Sequence, residues 1–550
     1  MSGRRLLQRP LRALIILICG ASAAHADTVD LSNATIAQID AAFAKGTLTS
    51  ESLVKMYLKR IEAYDKHGPG INAVITLNPK ALETAKALDA ERKKKGPRSP
   101  IHGIPVILKD NYDTLDLPTT AGSQLLAGSI PPDDAYVVKK LRDAGAVFVA
   151  KVNLSEFAGS GGSVSGATDA AVLAAGAVPN GFSSMGLQTH NPHDLTRGPS
   201  GSSGGTGAGI AAWFGQFGLG TDTGGSVRGP SSANGIVGLK PTLGLLSRNG
   251  IVPLALSFDT GGPMARSVSD LAVALGVMTG VDAGDPATAA SAGKSETDYT
   301  KYLKKGSLKG ARIGIARDFM GRDPEVDRVV EKSVTTLRKL GAVVVDPIKY
   351  PDYLLQAKQP IYNLLVSSEF KAQITQYLQR TKAGYPKSFD EIVARANDPA
   401  TGYRSPEKAY ALKYTAGLAL DLDDPVYIAL KQQQLAAVKA GMVALFAKYH
   451  LDAIVYPTSP RPATLIKPTE PPKPTAGTES PTNLANESGF PDLIVPAGVT
   501  SGGLPVTISF FGPAFSEPKL IGYGYDFEQA THAIVHPKST PALADEHIRF

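Results

Sequence analysis

The sequence predicts an α/β protein in which a large mixed β-sheet is covered by helices on both faces. A unit of helix, glycine and strand occurs twice, and this order is typical of α/β folds. The first copy predicts a helix over residues 133–145, with Asp133 and Asp134 at its start, and a strand over 146–150. The second predicts a helix over 324–340 and, after a glycine, a strand over 342–345. With 550 residues, of which 43% are hydrophobic and 19% charged, the chain can bury a large core as one domain or as about two to four smaller ones.

The spacing of apolar residues predicts further elements. Apolar residues recur at helical spacing within residues 36–64 and predict two surface helices, the second capped by Thr49 or Ser50. Short apolar runs predict buried strands over 104–108, 313–316 and 451–456. The first of these strands ends in the polar residues Lys109, Asp110 and Asn111.

Two segments of the C-terminal half differ in composition from the rest. Residues 350–450 are rich in Tyr, Gln and Leu, and they predict a helical insertion that lines a substrate channel or covers the sheet. Residues 457–482 carry a dense run of prolines. Because strand-like sequence resumes at Leu493, this run predicts an extended loop or lid rather than a linker between domains.

Residues 1–26 have the features of an export signal. A basic start contains Arg4 and Arg5, residues 13–18 are apolar, and Ala24-His-Ala26 is a cleavage site of the small-residue type. The apolar run is shorter than the about 20 residues that span a bilayer, which disfavours the alternative of an uncleaved membrane anchor. We therefore expect export to the periplasm or the extracellular space, with no stable membrane insertion after residues 1–26 are removed.

Charge and cysteine content exclude several classes of function. The chain has 57 basic and 50 acidic residues, and removing the four arginines of the signal leaves 53 basic against 50 acidic. The densest basic run, over residues 92–95, lies in a helix-like charged stretch, so no nucleic-acid partner is expected. Cys19 is the single cysteine and lies in the signal. The mature chain therefore lacks a disulfide, a thiolate nucleophile and a cysteine metal ligand.

The candidate chemistry lies within residues 198–232, where serines and glycines occur in two clusters. The clusters read Gly-Pro-Ser-Gly-Ser202-Ser203-Gly-Gly and Gly-Thr-Asp222-Thr-Gly-Gly-Ser226-Val-Arg228. Glycine lets the backbone turn sharply and bring its N–H groups close to a substrate, so a serine on such a turn can lie beside an oxyanion hole. Composition alone leaves a flexible surface linker open.

Two other interpretations of this segment lack the structural context that they require. The G-x-G-x-x-A pattern that starts at Gly207 resembles a loose dinucleotide fingerprint, but no predicted strand precedes it. The G-x-S-x-G pattern centred on Ser203 matches the nucleophile elbow of α/β-hydrolases, an esterase alternative in which Ser203 is the nucleophile. The sequence before Ser203 is loop-like, whereas an elbow follows a strand.

The two clusters resemble the signature of the amidase signature family, and further segments continue that family's pattern. These are His102-Gly-Ile-Pro-Val-Ile-Leu-Lys109-Asp-Asn, Gly-Ile-Val-Gly238-Leu-Lys-Pro-Thr242, Asp259-Thr-Gly-Gly-Pro-Met-Ala-Arg266, Thr482-Asn-Leu-Ala-Asn486 and Phe490-Pro-Asp-Leu-Ile-Val-Pro496. The resemblance covers nearly all of the chain after the signal, in order. It implies a single amidase signature domain over residues 27–550, with a large mixed sheet between helical layers.

The resemblance also implies a set of catalytic groups. The family's Ser-cisSer-Lys triad falls on Ser226 as nucleophile, Ser202 as proton relay and Lys109 as base. Its oxyanion hole falls on the backbone N–H groups of Thr223, Gly224, Gly225 and Ser226. Supporting roles fall on Asp222, Arg228 and Ser203. No cofactor and no metal are implied, and His190 and His193 lack a third ligand and are interpreted as loop residues.

The chemistry of amide hydrolysis explains why these groups are needed. An amide is a poor electrophile with a poor leaving group, so the site must activate a hydroxyl, stabilise an oxyanion and protonate the departing nitrogen. Lys109 is a base only when it is neutral. Since the ordinary pKa of lysine is about 10.4, neutrality near pH 7.5 requires a pKa lowered by roughly 3. Burial at the end of an apolar strand changes the pKa in that direction.

The substrate is less sharply indicated than the reaction. The export signal and the segment Gly186-Leu-Gln-Thr-His-Asn191 resemble secreted peptide amidases, which remove the C-terminal amide of peptides. Peptide, aryl and aliphatic amides all fit the expected hydrolysis to an acid plus ammonia or an amine, and esters and urethanes remain open. The rival functions are an A-type amidotransferase component that acts on charged transfer RNA and a membrane-docked fatty acid amide hydrolase. The sequence indicates no oligomeric state.

Overall fold

The computed structural model describes residues 28–159, 178–357, 361–467 and 481–549. The predicted signal peptide lies outside these ranges, as do residues 468–480 of the predicted proline-rich loop. The described strands are β1 Thr28–Asp30, β2 Val74–Leu77, β3 Pro105–Lys109, β4 Val147–Val152, β5 Phe182–Ser183, β6 Leu187–Gln188, β7 Phe217–Asp222, β8 Val237–Lys240, β9 Thr260–Ala265, β10 Arg312–Ile315, β11 Val343–Val345, β12 Ala453–Pro457, β13 Asp492–Val499, β14 Pro505–Phe511 and β15 His547–Arg549.

Helices alternate with these strands along most of the chain. They are α1 Ile36–Lys45, α2 Ser50–Ile61, α3 Ala81–Lys95, α4 Tyr136–Asp143, α5 Gly204–Ala211, α6 Arg228–Ala233, α7 Val268–Met278, α8 Pro324–Lys339, α9 Asp352–Gln356, α10 Asn363–Leu378, α11 Phe389–Ala396, α12 Pro406–Leu418, α13 Pro425–Ala429, α14 Leu435–Tyr449, α15 Asn483–Ser488 and α16 Glu517–Thr531.

Eleven strands form one mixed sheet in the order β11-β10-β12-β14-β13-β8-β9-β7-β3-β4-β2. Strands β3, β4 and β7 run parallel to one another, whereas β12, β14, β13, β8 and β9 alternate in direction. Alternate residues of β3 enter different cores: Val106 and Leu108 pack on one face, and Ile107 packs on the other. Helices α7, α8 and α16 cover the first face, and α3 and α5 cover the second. The predicted fold class is confirmed.

Local sequence accounts for several element boundaries. Helix α2 begins after Thr49, whose side chain accepts a hydrogen bond from the N–H of Ser52, so Thr49 is the cap rather than Ser50. The predicted helix start at Asp133 and Asp134 is wrong, because α4 begins only at Tyr136. Asp134 instead accepts hydrogen bonds from the guanidinium of Arg142.

The segment 350–450 forms six of the helices named above, α9 to α14. Leu365 of α10 and Met442 of α14 pack with Ile454 of the sheet. Phe370 of α10 packs with Leu254, a residue of the loop before β9. The helical segment therefore covers one end of the sheet and also contacts a loop that reaches the candidate site.

Candidate active site

Lys109 lies at the carboxyl end of β3, beside the carboxyl end of β7. The two strands are parallel, with Leu108 opposite Leu219, so the residues that follow them meet at one edge of the sheet. The Lys109 side chain is fully buried. Its Nζ lies 2.8 Å from Ser202 Oγ and 2.6 Å from Thr221 Oγ1. The structure thus brings the predicted base and the predicted relay serine into direct contact.

The surroundings of Lys109 favour the neutral amine. Burial lowers the pKa of Lys109 to about 7, against the opposing effect of the negative charges of Asp222 and Asp259. Its hydrogen-bond partners are hydroxyl and carbonyl oxygens rather than carboxylates. The direction of this change is the one predicted from the burial of Lys109, and it places the neutral amine within reach near pH 7.

The two serine clusters are joined by backbone hydrogen bonds. The Gly201–Ser202 peptide bond is cis. The C=O of Ser202 accepts a hydrogen bond from the N–H of Ser155 at 2.9 Å, and the N–H of Ser203 donates to the C=O of Ser226 at 3.1 Å. Ser202 is buried, whereas Ser226 is partly exposed in the turn between β7 and α6. Of the two predicted hydroxyls, Ser226 is therefore the one with access to solvent.

Ser203 has a structural environment that disfavours the esterase alternative. Its side chain is fully buried, and its Oγ donates to the C=O of Thr221 and accepts from the N–H of Thr221, both at 3.2 Å. The residues before Ser203 form bends rather than the strand that a nucleophile elbow requires. Through these bonds Ser203 attaches the loop of residues 198–203, which we call the relay loop, to β7.

The predicted oxyanion hole lies in the turn that follows β7. Gly225 has a φ of 118°, a conformation that favours glycine. Its N–H donates to Asp222 Oδ1 at 2.8 Å and is therefore already engaged. Among the described residues, no hydrogen-bond acceptor is found for the N–H groups of Thr223, Gly224 and Ser226. These three N–H groups are the ones available to a substrate oxygen.

Asp222 and Arg228 hold the backbone of the turn between β7 and α6. Both side chains are fully buried and form an ion pair with Arg228 Nη2 3.0 Å from Asp222 Oδ1. Arg228 Nη1 also lies 2.9 Å from Asp492 Oδ2, and Asn486 Nδ2 donates to Asp222 Oδ1 at 2.9 Å. The N–H of Val227 donates to Asp222 Oδ2 at 2.9 Å. The turn that carries Ser226 is thus held by one buried network.

Asp222 and Arg228 each stabilise the charged form of the other. Burial acts to raise the pKa of Asp222, but the charge of Arg228 and the hydrogen bonds from Arg228 and Asn486 hold it well below its ordinary value. Burial acts to lower the pKa of Arg228, but the charges of Asp222 and Asp492 hold it above its ordinary value. Both groups stay ionised across the pH range of ordinary assays.

A narrow cavity lies beside Thr221, which contacts Lys109, and Thr223 of the turn, but Lys109, Ser202 and Ser226 do not line it. Its volume of about 10 Å³ holds one water. It is lined by Asn111, Ala158, Thr221, Thr223, Arg248, Ile251, Val252, Leu254, Leu256, Asp259 and Thr260. Six of these residues are polar or charged, and the other five are apolar.

Three residues of the site received no role from the sequence. Thr221 contacts the base directly, and Asn111 Nδ2 donates to Thr221 Oγ1 at 3.0 Å. Asp259 accepts a hydrogen bond from Thr223 Oγ1 at 2.5 Å. Asn111 and Asp259 stand inside quoted motifs, and Thr221 directly precedes Asp222, so position within a motif was the available signal.

The two histidines near the relay loop bond to backbone oxygens. His190 Nδ1 lies 2.7 Å from the C=O of Leu195, and His193 Nε2 lies 3.1 Å from the C=O of Asn234. In the part of the chain that the structure describes, no group of three or more His, Cys, Asp or Glu side chains is arranged to hold a metal ion. Within the same ranges, every helix is too short or too polar to cross a membrane.

Comparison with known proteins identifies the family. The model of the Amidase family matches residues 52–521. The chain belongs to the amidase family. This amidase is 38% identical to the peptide amidase of Stenotrophomonas maltophilia, with a TM-score of 0.83 over 92% of this chain and 99% of that chain. It is therefore a single-domain hydrolase that acts on amide C–N bonds.

Other relatives of this amidase are similar along most of their length. A probable amidase of Arabidopsis thaliana is 36% identical over 96% of each chain. The A component of the glutamyl-tRNA(Gln) amidotransferase of Caldanaerobacter subterraneus is 35% identical over 91% of this chain and 97% of that protein. Overall sequence identity alone therefore does not separate hydrolases from amidotransferase components.

Proposed function

We propose that this protein is an exported amidase that hydrolyses peptide C-terminal amides or related small amides through Ser226, Ser202 and Lys109. The observation that carries the proposal is the 2.8 Å contact between the buried Lys109 Nζ and Ser202 Oγ. A largely neutral lysine bonded to a serine hydroxyl is a base with an attached proton relay. Ser226 is linked to the residue that follows Ser202, because the C=O of Ser226 accepts a hydrogen bond from the N–H of Ser203.

The proposed reaction proceeds through an acyl-enzyme. Neutral Lys109 takes the proton of Ser202 while Ser202 takes the proton of Ser226, and Ser226 Oγ attacks the amide carbon. The N–H groups of the turn stabilise the tetrahedral oxyanion. The proton returns through Ser202 to the leaving nitrogen, the C–N bond breaks, and ammonia or an amine departs. Water then adds to the ester by the same proton path, releasing the acid and restoring Ser226.

The similarity to a peptide amidase supports peptide amides as the first substrate class to examine. This similarity covers 92% of this chain and 99% of that chain, with a TM-score of 0.83. The amidotransferase alternative is supported by the relatives of that class, which are 35% identical to this chain. The predicted export signal at residues 1–26 favours a hydrolase, since charged transfer RNA is a cytoplasmic substrate.

Two measurements test this proposal. Purified protein without residues 1–26 is incubated with an amidated peptide and with the same peptide as its anilide, and ammonia or aniline release is followed. Ser226→Ala is expected to abolish release, and Ser501→Ala, at an exposed position far along the chain, serves as the control. Absence of hydrolysis of every amide would contradict the hydrolase proposal. Separately, a periplasmic product beginning at Asp27 would support export, and an uncleaved cytoplasmic product would contradict it.

A further inference from the structure

The Thr221 hydroxyl lies beside the amine of Lys109, near the carboxyl end of β7. Thr221 Oγ1 is 2.6 Å from Lys109 Nζ and 3.0 Å from Asn111 Nδ2, and the Thr221 side chain is buried. The C=O of Thr221 lies 3.5 Å from the same Nζ. Lys109 Nζ therefore lies within hydrogen-bond distance of two oxygens of Thr221 and of Ser202 Oγ.

The chemistry of a neutral amine determines how Lys109 must be oriented to act as a base toward Ser202. A neutral lysine amine has two N–H donors and one lone pair, and only the lone pair can take a proton from Ser202. Acceptance of these two N–H groups by the Thr221 oxygens, which lie 2.6 Å and 3.5 Å from Nζ, would leave the lone pair for Ser202 Oγ. Without an acceptor at Thr221 Oγ1, the amine can rotate and donate an N–H to Ser202, which is unproductive.

Hydrogen bonds to the backbone and to the side chain of Thr221 hold its hydroxyl in position. The backbone of Thr221 pairs with Gly261 in the sheet, and its N–H and C=O both bond to Ser203 Oγ at 3.2 Å. The amide of Asn111 holds the hydroxyl oxygen at 3.0 Å. The backbone bonds fix where the side chain starts, and a rotation of the hydroxyl away from Lys109 would break the bond from Asn111.

We propose that Thr221 is a positioning residue that turns the lone pair of Lys109 toward Ser202, with Asn111 holding the Thr221 hydroxyl in place. The inference rests on the proposed function, because it assigns Thr221 a role in activating Ser226. Thr221 also serves the protonated state, since its hydroxyl and carbonyl oxygens accept from the lysine ammonium that forms during the reaction.

The test compares Thr221→Val, which keeps the shape of the side chain but removes the acceptor, with Thr221→Ser, which keeps the acceptor. The readout is the rate at which a fluorophosphonate probe labels Ser226 between about pH 5.5 and 9.5, which needs no knowledge of the substrate. We expect T221V to lower the plateau rate by about 10²-fold, as expected for a misplaced catalytic group. The pH midpoint of T221V should fall, since the ammonium loses an acceptor. T221S should have a plateau rate within about threefold of the wild-type rate and the same pH midpoint as the wild type, because a serine hydroxyl supplies the same hydrogen bond.

Thr221→Ala provides a second variant if T221V does not fold, and it should show the same loss and the same change of midpoint. The inference is overturned if T221V or T221A keeps the wild-type rate and midpoint, or if T221S loses as much as they do. Failure of the Ser226, Ser202 and Lys109 triad gives a different result, because wild-type Ser226 would then remain unlabelled at every pH. A triad that serves an amidotransferase would still be labelled, and the amide-hydrolysis assay distinguishes that case.

Discussion

Asp222 and Arg228 meet across the turn that carries Ser226, with Arg228 Nη2 3.0 Å from Asp222 Oδ1 and Arg228 Nε 3.1 Å from Asp222 Oδ2. The same carboxylate accepts the N–H groups of Gly225 and Val227. One buried ion pair therefore fixes the backbone on both sides of Ser226, and the geometry of the nucleophile depends on it.

Breaking this pair should destabilise the protein. Arg228→Met leaves Asp222 and Asp492 as buried carboxylates without their guanidinium, so the free energy of unfolding should fall by about 3–5 kcal/mol, measured by urea unfolding. Lys139→Met removes one partner of the exposed Lys139–Asp143 pair and should change it by less than about 1 kcal/mol. Equal effects of the two substitutions would contradict the role given to Arg228.

The pH dependence of hydrolysis follows from the state of Lys109. The neutral amine is the active form, and burial lowers its pKa to about 7. We expect kcat/KM to rise by about tenfold per pH unit below pH 7 and to level off above it. Lys109→Arg should lose about 10²–10⁴-fold, since a guanidinium stays protonated. A chemistry-limited rate that is flat from about pH 6 to 10 would count against a lysine base.

The turn after β7 should not tolerate a side chain at Gly224. A Cβ there would collide with the hydroxyl of Tyr362, so in Gly224→Ala either the Tyr362 ring or the backbone that offers N–H groups to the oxyanion must shift. We expect kcat to fall by about 10²–10³-fold in steady-state assays. Gly417→Ala is the control, because its Cβ would meet nothing within 4 Å and it lies inside α12. That control should keep its activity and gain about 0.5–1 kcal/mol of stability.

Glu369 connects the helical segment to the wall of the cavity. Its carboxylate accepts the N–H of Ser257 at 2.9 Å and the hydroxyl of Tyr427 at 2.9 Å, next to the lining residue Leu256. Glu369→Gln keeps the shape but replaces one acceptor by a donor, so KM should rise by about 3- to 10-fold with kcat nearly unchanged. Asp421→Asn, at a side chain that is 81% exposed, should leave both constants at wild-type values. A fall in kcat alone would contradict this assignment.

The sequence predicts the layers of the fold better than the ends of its elements. Its pattern ends β4 at Ala150, but the strand continues to Val152 because Lys151 is buried in an ion pair with Asp110 at 3.1 Å. A charged residue ends a strand in most sequence patterns, and its partner lies 41 positions away. Pairings of this kind depend on which strands become neighbours.

The same limit applies to the candidate site. Lys109, Ser202 and Ser226 could be proposed from the resemblance of their motifs to the amidase signature family, and the structure brings the first two into contact. The contact between Lys109 and Thr221 depends on β3 lying beside β7, and the contact of Arg228 with Asp492 joins residues far apart in the chain. Periodicity along one segment carries no information about either contact.

The nucleophile assignment is tested most directly by reacting the protein without residues 1–26 with a fluorophosphonate and locating the adduct by peptide mass spectrometry. We expect one adduct, on Ser226, that forms far more slowly in Ser202→Ala and Lys109→Ala variants that remain folded. An adduct on Ser203, or labelling of Ser226 at an undiminished rate in both variants, would contradict the assignment.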